Sequence, residues 1–174
     1  ALAYINYISA YATDNGTAIV AIGGDIDLSA DSQNERADAY IHALSASATG
    51  TNAYAVLSID GGVQVRAYGG LAAGGEDTVG ANAHIQSIYA QASHGQATYS
   101  GAATTYSGDY LSAPVATVDI AGNVLVSASA TDGTAYAFIE DVKADANTDG
   151  AYANLGIFGS VGIYAQASGT HEVT

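Results

Sequence analysis

Two aspartates on one short segment have the residue type and spacing for acid–base chemistry. Asp25 and Asp27 lie two residues apart in "IGGDIDLSA". In an extended strand the side chains of residues i and i+2 share a face, about 7 Å apart. Pairs of carboxylates held at similar distances cleave glycosidic bonds. One interpretation is therefore a polysaccharide-cleaving or polysaccharide-binding site, formed by this pair or by the segment at 94–114.

A second acidic stretch, "DANTDG", has the spacing of a calcium loop. Asp145, Asn147 and Asp149, followed by Gly150, match the first half of an EF-hand loop. The twelfth position is Gly156 rather than a bidentate Glu, which favours solvated turn carboxylates. Calcium at Asp145, Asn147 and Asp149 is therefore the one ion that we consider. The four histidines have no metal-binding spacing and the chain has no cysteine, so we predict no other cofactor.

The elements that position these residues are repeats. The first motif reads Ile-x-Gly-x-aliphatic-x-aliphatic-x-Ala, as in "IAGNVLVSA", and the second reads Ile-x-x-aliphatic-x-Ala-x-Ala. The first begins at Ile22, Ile59, Ile120 and Ile157, and the second at Ile5, Ile41, Ile85 and Ile139. Apolar residues alternate with polar ones within each motif, which is typical of a half-buried strand. Turn-forming sequences such as "TDNGT" and "NTDG" separate the strands.

The two motifs alternate along the chain at a base spacing of about 18 residues. Like residues recur at like positions, which favours a coil over an antiparallel sandwich. We therefore predict an all-β fold, a single-stranded β-solenoid of eight or nine rungs of about 18 residues. Residues 1–174 form one domain in this prediction, with insertions near 68–80 and 94–114. The inward Ala residues fit a narrow core, and the motif glycine fits a bend that crowds that core.

Tyrosine is the aromatic residue that this chain uses most, with 13 Tyr against two Phe. Many of them fall on outward positions of the predicted strands. Exposed aromatic side chains indicate a contact surface, because Tyr is favoured at interfaces. The alternative is that the rings cover a thin rod and stack from rung to rung. The candidate interface residues are Tyr4, Tyr40, Tyr54, Tyr136, Phe138, Tyr152 and Tyr164.

The charge balance excludes several functions. Seventeen acidic residues face only Arg36, Arg66 and Lys143, for a formal net charge of −14. Without a basic cluster the chain has nothing to neutralise nucleic-acid phosphates or an anionic membrane surface. No apolar run reaches the length of a transmembrane helix. We therefore expect neither a nucleic-acid partner nor membrane insertion.

These repeats resemble the β-helical repeats of large secreted bacterial adhesins of the filamentous-haemagglutinin type. The resemblance covers nearly the whole chain and rests on the "I-x-G-x-V-x-V-x-A" spelling and on coils rich in Gly, Ala, Val, Asn and Thr. It implies a right-handed parallel β-helix, export, and a role in adhesion or in a surface fibre. The many tyrosines depart from that family's usual composition.

The repeats also predict self-association. Neither terminus of the chain has the sequence of a polar cap, and a bare solenoid end exposes unpaired strand edges. If a second copy followed the first, its Ile5 would lie sixteen residues after Ile163, within the thirteen to twenty residues that separate such positions inside the chain. We therefore predict a structural segment or subunit of an extracellular, cell-surface filament or adhesin. We expect that the protein is not an enzyme and that it associates with further copies of itself. Surface glycans are a further candidate partner.

Overall fold

The computed structural model describes residues 1–14, 16–33, 35–50, 52–70, 79–93, 114–131, 133–147 and 151–168. All regular structure in these ranges is β-strand. The strands are β1 (Leu2–Ala12), β2 (Thr17–Ile22), β3 (Ile26–Ser32), β4 (Ala37–Thr49), β5 (Tyr54–Ile59), β6 (Val63–Gly69), β7 (Val79–Ser93), β8 (Val115–Ile120), β9 (Val124–Thr131), β10 (Thr134–Asn147), β11 (Tyr152–Ile157) and β12 (Val161–Ser168).

Each of the strands β1 to β9 pairs in parallel with the strand three places further along the chain. Three four-stranded sheets result: sheet 1 in the order β1-β4-β7-β10, sheet 2 in the order β2-β5-β8-β11, and sheet 3 in the order β3-β6-β9-β12. Three consecutive strands, one in each sheet, form what we call a layer, so that β1–β3 is layer 1 and β10–β12 is layer 4. The all-β prediction is confirmed, and the parallel pairing is compatible with a solenoid.

The predicted rung count is wrong, because the unit that stacks on itself is twice as long. Ile22 pairs with Ile59, Ile59 with Ile120, and Ile120 with Ile157, at the end of the sheet 2 strands. The second motif pairs only with its own copies, in sheet 1. A layer therefore contains both motifs and repeats after about 37 residues, as from Ile22 to Ile59. The described residues form four layers instead of eight or nine rungs.

The two predicted insertions fall between consecutive strands. Residues 71–78 lie between β6 and β7, and residues 94–113 lie between β7 and β8; both segments are outside the described residues. β8 nevertheless pairs directly with β5, and β7 pairs directly with β4. No additional layer therefore separates layer 2 from layer 3 in the described sheets.

The core is a column of small and aliphatic side chains inside the three sheets. In β4 the buried apolar residues are Ala37, Ala39, Ile41, Ala43, Leu44, Ala46 and Ala48. The pairing of sheet 1 skips His42 and its equivalents, so the inward face changes phase between Ile41 and Leu44. This phase change explains why the second motif has two apolar residues three apart. Ala at most remaining inward positions keeps the opposing sheets close together.

Candidate assembly surface

Layer 4 leaves its core positions open. Val161 and Ile163 are 54% and 49% exposed, although the residues with which they pair in layer 3, Val124 and Val126, are 1% and 0% exposed. The side chains are of the same type and point the same way. They differ only in that no further layer lies beyond them among the described residues. The end of the stack therefore presents an apolar surface of the kind that is normally covered.

Layer 1 is open in sheet 1 and more closed elsewhere. Ile8 is 36% exposed, whereas Leu44, its partner in layer 2, is fully buried. Val20 and Ile26 in β2 and β3 are buried. Even so, β1, β2 and β3 each have a neighbour on one side only in the described part of the chain, as do β10, β11 and β12. Unpaired parallel edges of this kind are templates for the addition of strands.

The glycine of the first motif lies where successive layers come closest. A Cβ added at Gly61 would lie 2.6 Å from the backbone nitrogen of Asp25 in layer 1, and one at Gly122 would lie 2.6 Å from that of Gly62 in layer 2. The glycine is therefore required by the backbone of the preceding layer and not by the core. We predicted that this glycine crowds the core. The structure shows crowding, but against the backbone of the neighbouring layer along the stack. Of the four glycines of the first motif, Gly24 alone has nothing within 4 Å of the added Cβ among the described residues, and the preceding Gly23 is open in the same way.

Side chains next to these glycines cap the backbone of the following layer. A carboxylate oxygen of Asp25 accepts a hydrogen bond of 2.6 Å from the backbone N–H of Gly62. Two layers further on, the side-chain oxygen of Asn123 in layer 3 accepts a hydrogen bond of 2.7 Å from the backbone N–H of Ser160 in layer 4. Both contacts run from a lower-numbered to a higher-numbered layer. The corner of the stack therefore has a direction.

Four aromatic rings form a continuous ladder on the outer face of sheet 1. Tyr4 stacks on Tyr40 with ring centroids 5.5 Å apart, Tyr40 on His84 at 5.1 Å, and His84 on Phe138 at 4.8 Å. The interplanar angles lie between 5° and 15°. Neighbouring strands lie about 4.8 Å apart, and the rings repeat at nearly this spacing because each layer contributes one ring. We call these four residues the aromatic ladder.

His84 is the titratable member of the ladder. Burial between Tyr40 and Phe138 lowers its pKa below the ordinary value of 6.5, and the neighbouring His42 lowers it further. The negative charges of Asp38 and Glu140 act in the opposite direction on this pKa. The Nδ1 atom of His84 is buried without a hydrogen-bond partner. Burial therefore favours the neutral imidazole, and protonation would place a charge within the stack.

The predicted interface residues divide into two groups. Tyr4, Tyr40 and Phe138 lie together in the aromatic ladder, where Tyr40 is half-buried between its neighbours. The others are exposed singly on different sheets: Tyr136 on sheet 1, Tyr54 and Tyr152 on sheet 2, and Tyr164 on sheet 3. Tyr54 and Tyr152 are separated by Val115 in layer 3. The alternative of ring stacking from layer to layer therefore describes the first group only.

Sequence reasoning missed the fourth ring of the ladder. The sequence assigns His84 no role, because the four histidines have no metal-binding spacing. A signal was present, since His84 precedes Ile85 as Tyr4, Tyr40 and Phe138 precede the first residue of their motif copies. Alignment on that motif alone would have placed the imidazole in the stack.

The candidate catalytic carboxylates are both occupied by structural contacts. Asp25 caps the backbone N–H of Gly62. Asp27 accepts from the guanidinium of Arg66 in layer 2 at 3.1 Å, and the same guanidinium donates to the side-chain oxygen of Gln64. The two aspartates therefore face different partners. The alternative location of this site, residues 94–114, lies outside the described residues except for Pro114.

The calcium candidate is described only in part. Asp145 is half-buried near the end of β10, Asn147 is the exposed last residue of that strand, and Asp149 lies outside the described residues. Asp145 and Asn147 occupy strand positions and pair with Gln91 and Ser93. Within the described ranges, no group of three or more His, Cys, Asp or Glu side chains is placed to hold a metal ion.

A scan against protein-family models matched none of them, and searches of the curated proteins and of the solved structures found no match. The resemblance to adhesin repeats stays a prediction. In the part of the chain that the structure describes, no helix has the length and apolar character of a membrane span.

Proposed function

We propose that this protein is a structural subunit or segment of an extracellular filament or adhesin, and that it assembles end to end by stacking its layers. In this proposal the coil is a right-handed parallel β-helix and its ends are joined to further copies. The single observation that carries the proposal is the open core of layer 4, in which Val161 and Ile163 are half exposed.

The free energy that stacking would gain comes from two sources. Covering the apolar side chains of an end layer removes their area from water at about 25 cal/mol per Å². Pairing the free strand edges adds a ladder of backbone hydrogen bonds for each sheet. Both gains recur at every junction, because each added copy brings a new open end. A heterologous contact of this kind generates an open filament instead of a closed oligomer.

The remaining surface supports a structural role. The carboxylates with the best spacing for catalysis, Asp25 and Asp27, hold Gly62 and Arg66. The extracellular location rests on the resemblance of the repeats to those of secreted adhesins. Binding or cleavage of polysaccharide is the alternative function, and the experiment below distinguishes the two.

The test is negative-stain microscopy and sedimentation of the purified chain and of two lysine variants. Ile163→Lys places a charge on the open core surface, and Gln166→Lys places the same charge on an outward position of the same strand. We expect the wild type and Gln166→Lys to form fibres of uniform width, and Ile163→Lys to remain dispersed. Monodisperse short particles of wild type that bind glycans would overturn the proposal in favour of the alternative.

A further inference from the structure

We propose that copies of this chain join head to tail, with layer 4 of one copy on layer 1 of the next, in the register that the internal layers use. The inference rests on the proposed end-to-end assembly and adds its direction and its residue pairs. At the junction Phe138 would stack on Tyr4 of the next copy. The backbone at Gly159 and Ser160 would lie close to Gly24 of that copy, where a side chain would not fit.

The glycines of the first motif, which we call the corner glycines, indicate the direction in which copies join: Gly24, Gly61, Gly122 and Gly159. The Cβ that each of Gly61, Gly122 and Gly159 lacks would point at the backbone of the preceding layer. Gly24 occupies the same position in layer 1 and has open space around it. Among the described residues of one chain, no atom lies within 4 Å of the Cβ that Gly24 lacks. A layer placed before layer 1 supplies one, and the close approach then explains why position 24 has no side chain.

The capping contacts point the same way. Asp25 and Asn123 each receive a hydrogen bond from the backbone N–H of the following layer. Ser160 occupies the corresponding position in layer 4, where its hydroxyl oxygen can accept from the backbone N–H of Asp25 in the next copy. One end of the stack therefore offers an acceptor and the other a donor. Two identical ends brought together would not match in this respect.

The aromatic ladder is unfinished at both ends. Among the described residues, Tyr40 and His84 have a ring on each face, whereas Tyr4 and Phe138 have a ring on one face only. Tyr4 and Phe138 are 56% and 42% exposed. Continuing the strand spacing across the junction places these two rings against each other. The ladder would then run without interruption along the filament.

The same register matches apolar and charged residues across the junction. The internal pairing series place Ile139 opposite Ile5 and Ile163 opposite Leu28. On the outer faces they place Gln166 opposite Asp31 and Gly162 opposite Asp27. Opposed carboxylates are destabilising, and in a chain of net charge −14 their avoidance at these positions favours this register.

Disulfide trapping tests the direction and the register together. Ser9 in β1 and Lys143 in β10 are exposed, and the pairing series makes them opposite each other across the junction. Within one chain they are three strands apart in sheet 1, about 14 Å, which no disulfide spans. The chain has no cysteine of its own, so the double variant S9C/K143C reports only on contacts between copies.

We expect S9C/K143C to give a covalent series of multimers on mild oxidation. The offset control S9C/D145C, two residues out of register, should cross-link at least about tenfold more slowly. The single variants S9C and K143C report on joining of identical ends and should remain monomeric in denaturing gels. Wild-type fibres combined with cross-linking of a single variant, or of the offset pair instead of S9C/K143C, would overturn this inference and leave the proposed function standing. Absence of wild-type fibres would reject the proposed function itself.

Discussion

The inner layers and the end layers of this protein contain the same residue types in the same register, yet they differ in burial. Ile85 in layer 3 is fully buried, and Ile5, at the same position in layer 1, is only half-buried. The difference arises from the number of neighbouring layers and not from the side chain. In a coil whose layers contact only adjacent layers, stability is a sum of interface contributions. The end layers are therefore the weakest part of a single copy and the part with most to gain from association.

The largest expected effect comes from deleting one core side chain in an inner layer. Ile85→Ala should lower the free energy of unfolding by about 2–5 kcal/mol, because the cavity lies between two packed layers. Ile5→Ala removes the same atoms from layer 1 and should lower it by about 1–2 kcal/mol. Urea denaturation of both variants, at a concentration where the protein is dispersed, makes the comparison. Equal losses would show that layer 1 is as well packed as layer 3.

Alanine at the glycines of the first motif should distinguish the inner layers from the end layers more clearly than the core substitutions do. Gly61→Ala forces a methyl group against the backbone of layer 1 and should cost about 1–3 kcal/mol of folding stability. Gly24→Ala has open space in a single copy and should leave the thermal midpoint of the dispersed chain unchanged. It should nevertheless impair fibre formation if a preceding copy lies on this glycine. Thermal unfolding and turbidity of the two variants check both parts, and normal fibres from Gly24→Ala would contradict the second.

The end of the aromatic ladder should contribute to association in addition to its stacking on His84 within one copy. Phe138→Ala removes the ring that would face Tyr4 of the next copy, a loss of about 1–2 kcal/mol per junction. The critical concentration for assembly should then rise about tenfold. Tyr68→Ala is the matched control, because Tyr68 is an exposed ring in layer 2. A similar shift in both variants would indicate a general effect of aromatic surface.

The smallest expected effect is a pH dependence from His84. Its pKa in the folded chain lies below the ordinary value of 6.5 because burial disfavours the imidazolium. As the pH falls below 6.5, the unfolded chain therefore takes up the proton first, and the folded state loses stability until the folded pKa is passed. Above 6.5 the contribution is fully present.

His84→Phe should remove this dependence while keeping a ring in the stack. The measurement is the difference in unfolding free energy between wild type and variant, taken from about pH 8 to pH 5. Asp38 and Glu140, the carboxylates whose charges act on His84, are present in both proteins, so their own contribution largely cancels in the difference. A difference that stays constant with pH would show that protonation of His84 does not destabilise the folded state.

The sequence predicted the strands well because alternation reports burial directly. The period-two pattern of "IAGNVLVSA" identified Val124, Val126 and Ala128 as inward, and all three are buried. The repeated spelling also predicted parallel stacking of like on like. The number of layers could not be read in the same way, because both motifs begin with Ile and end in Ala at similar spacing. Only the pairing shows that they lie on different sheets.

The candidate surface was predicted less completely. Outward tyrosines were visible from parity, but their neighbours depend on the true layer length, and an 18-residue rung places the wrong rings together. With the 37-residue unit, Tyr4, Tyr40, His84 and Phe138 fall on one row. The axial role of Gly24 was also out of reach, since it depends on how close two backbones approach.

Hydrogen exchange measured over a range of protein concentrations tests the central claim, that the end layers are completed by a second copy. At low concentration we expect the amides of β1 and β10–β12 to exchange faster than those of β4–β9. Raising the concentration into the range where fibres form should protect the end strands to the level of the inner ones and leave the inner ones unchanged. Protection of the end strands that does not depend on concentration would contradict the account.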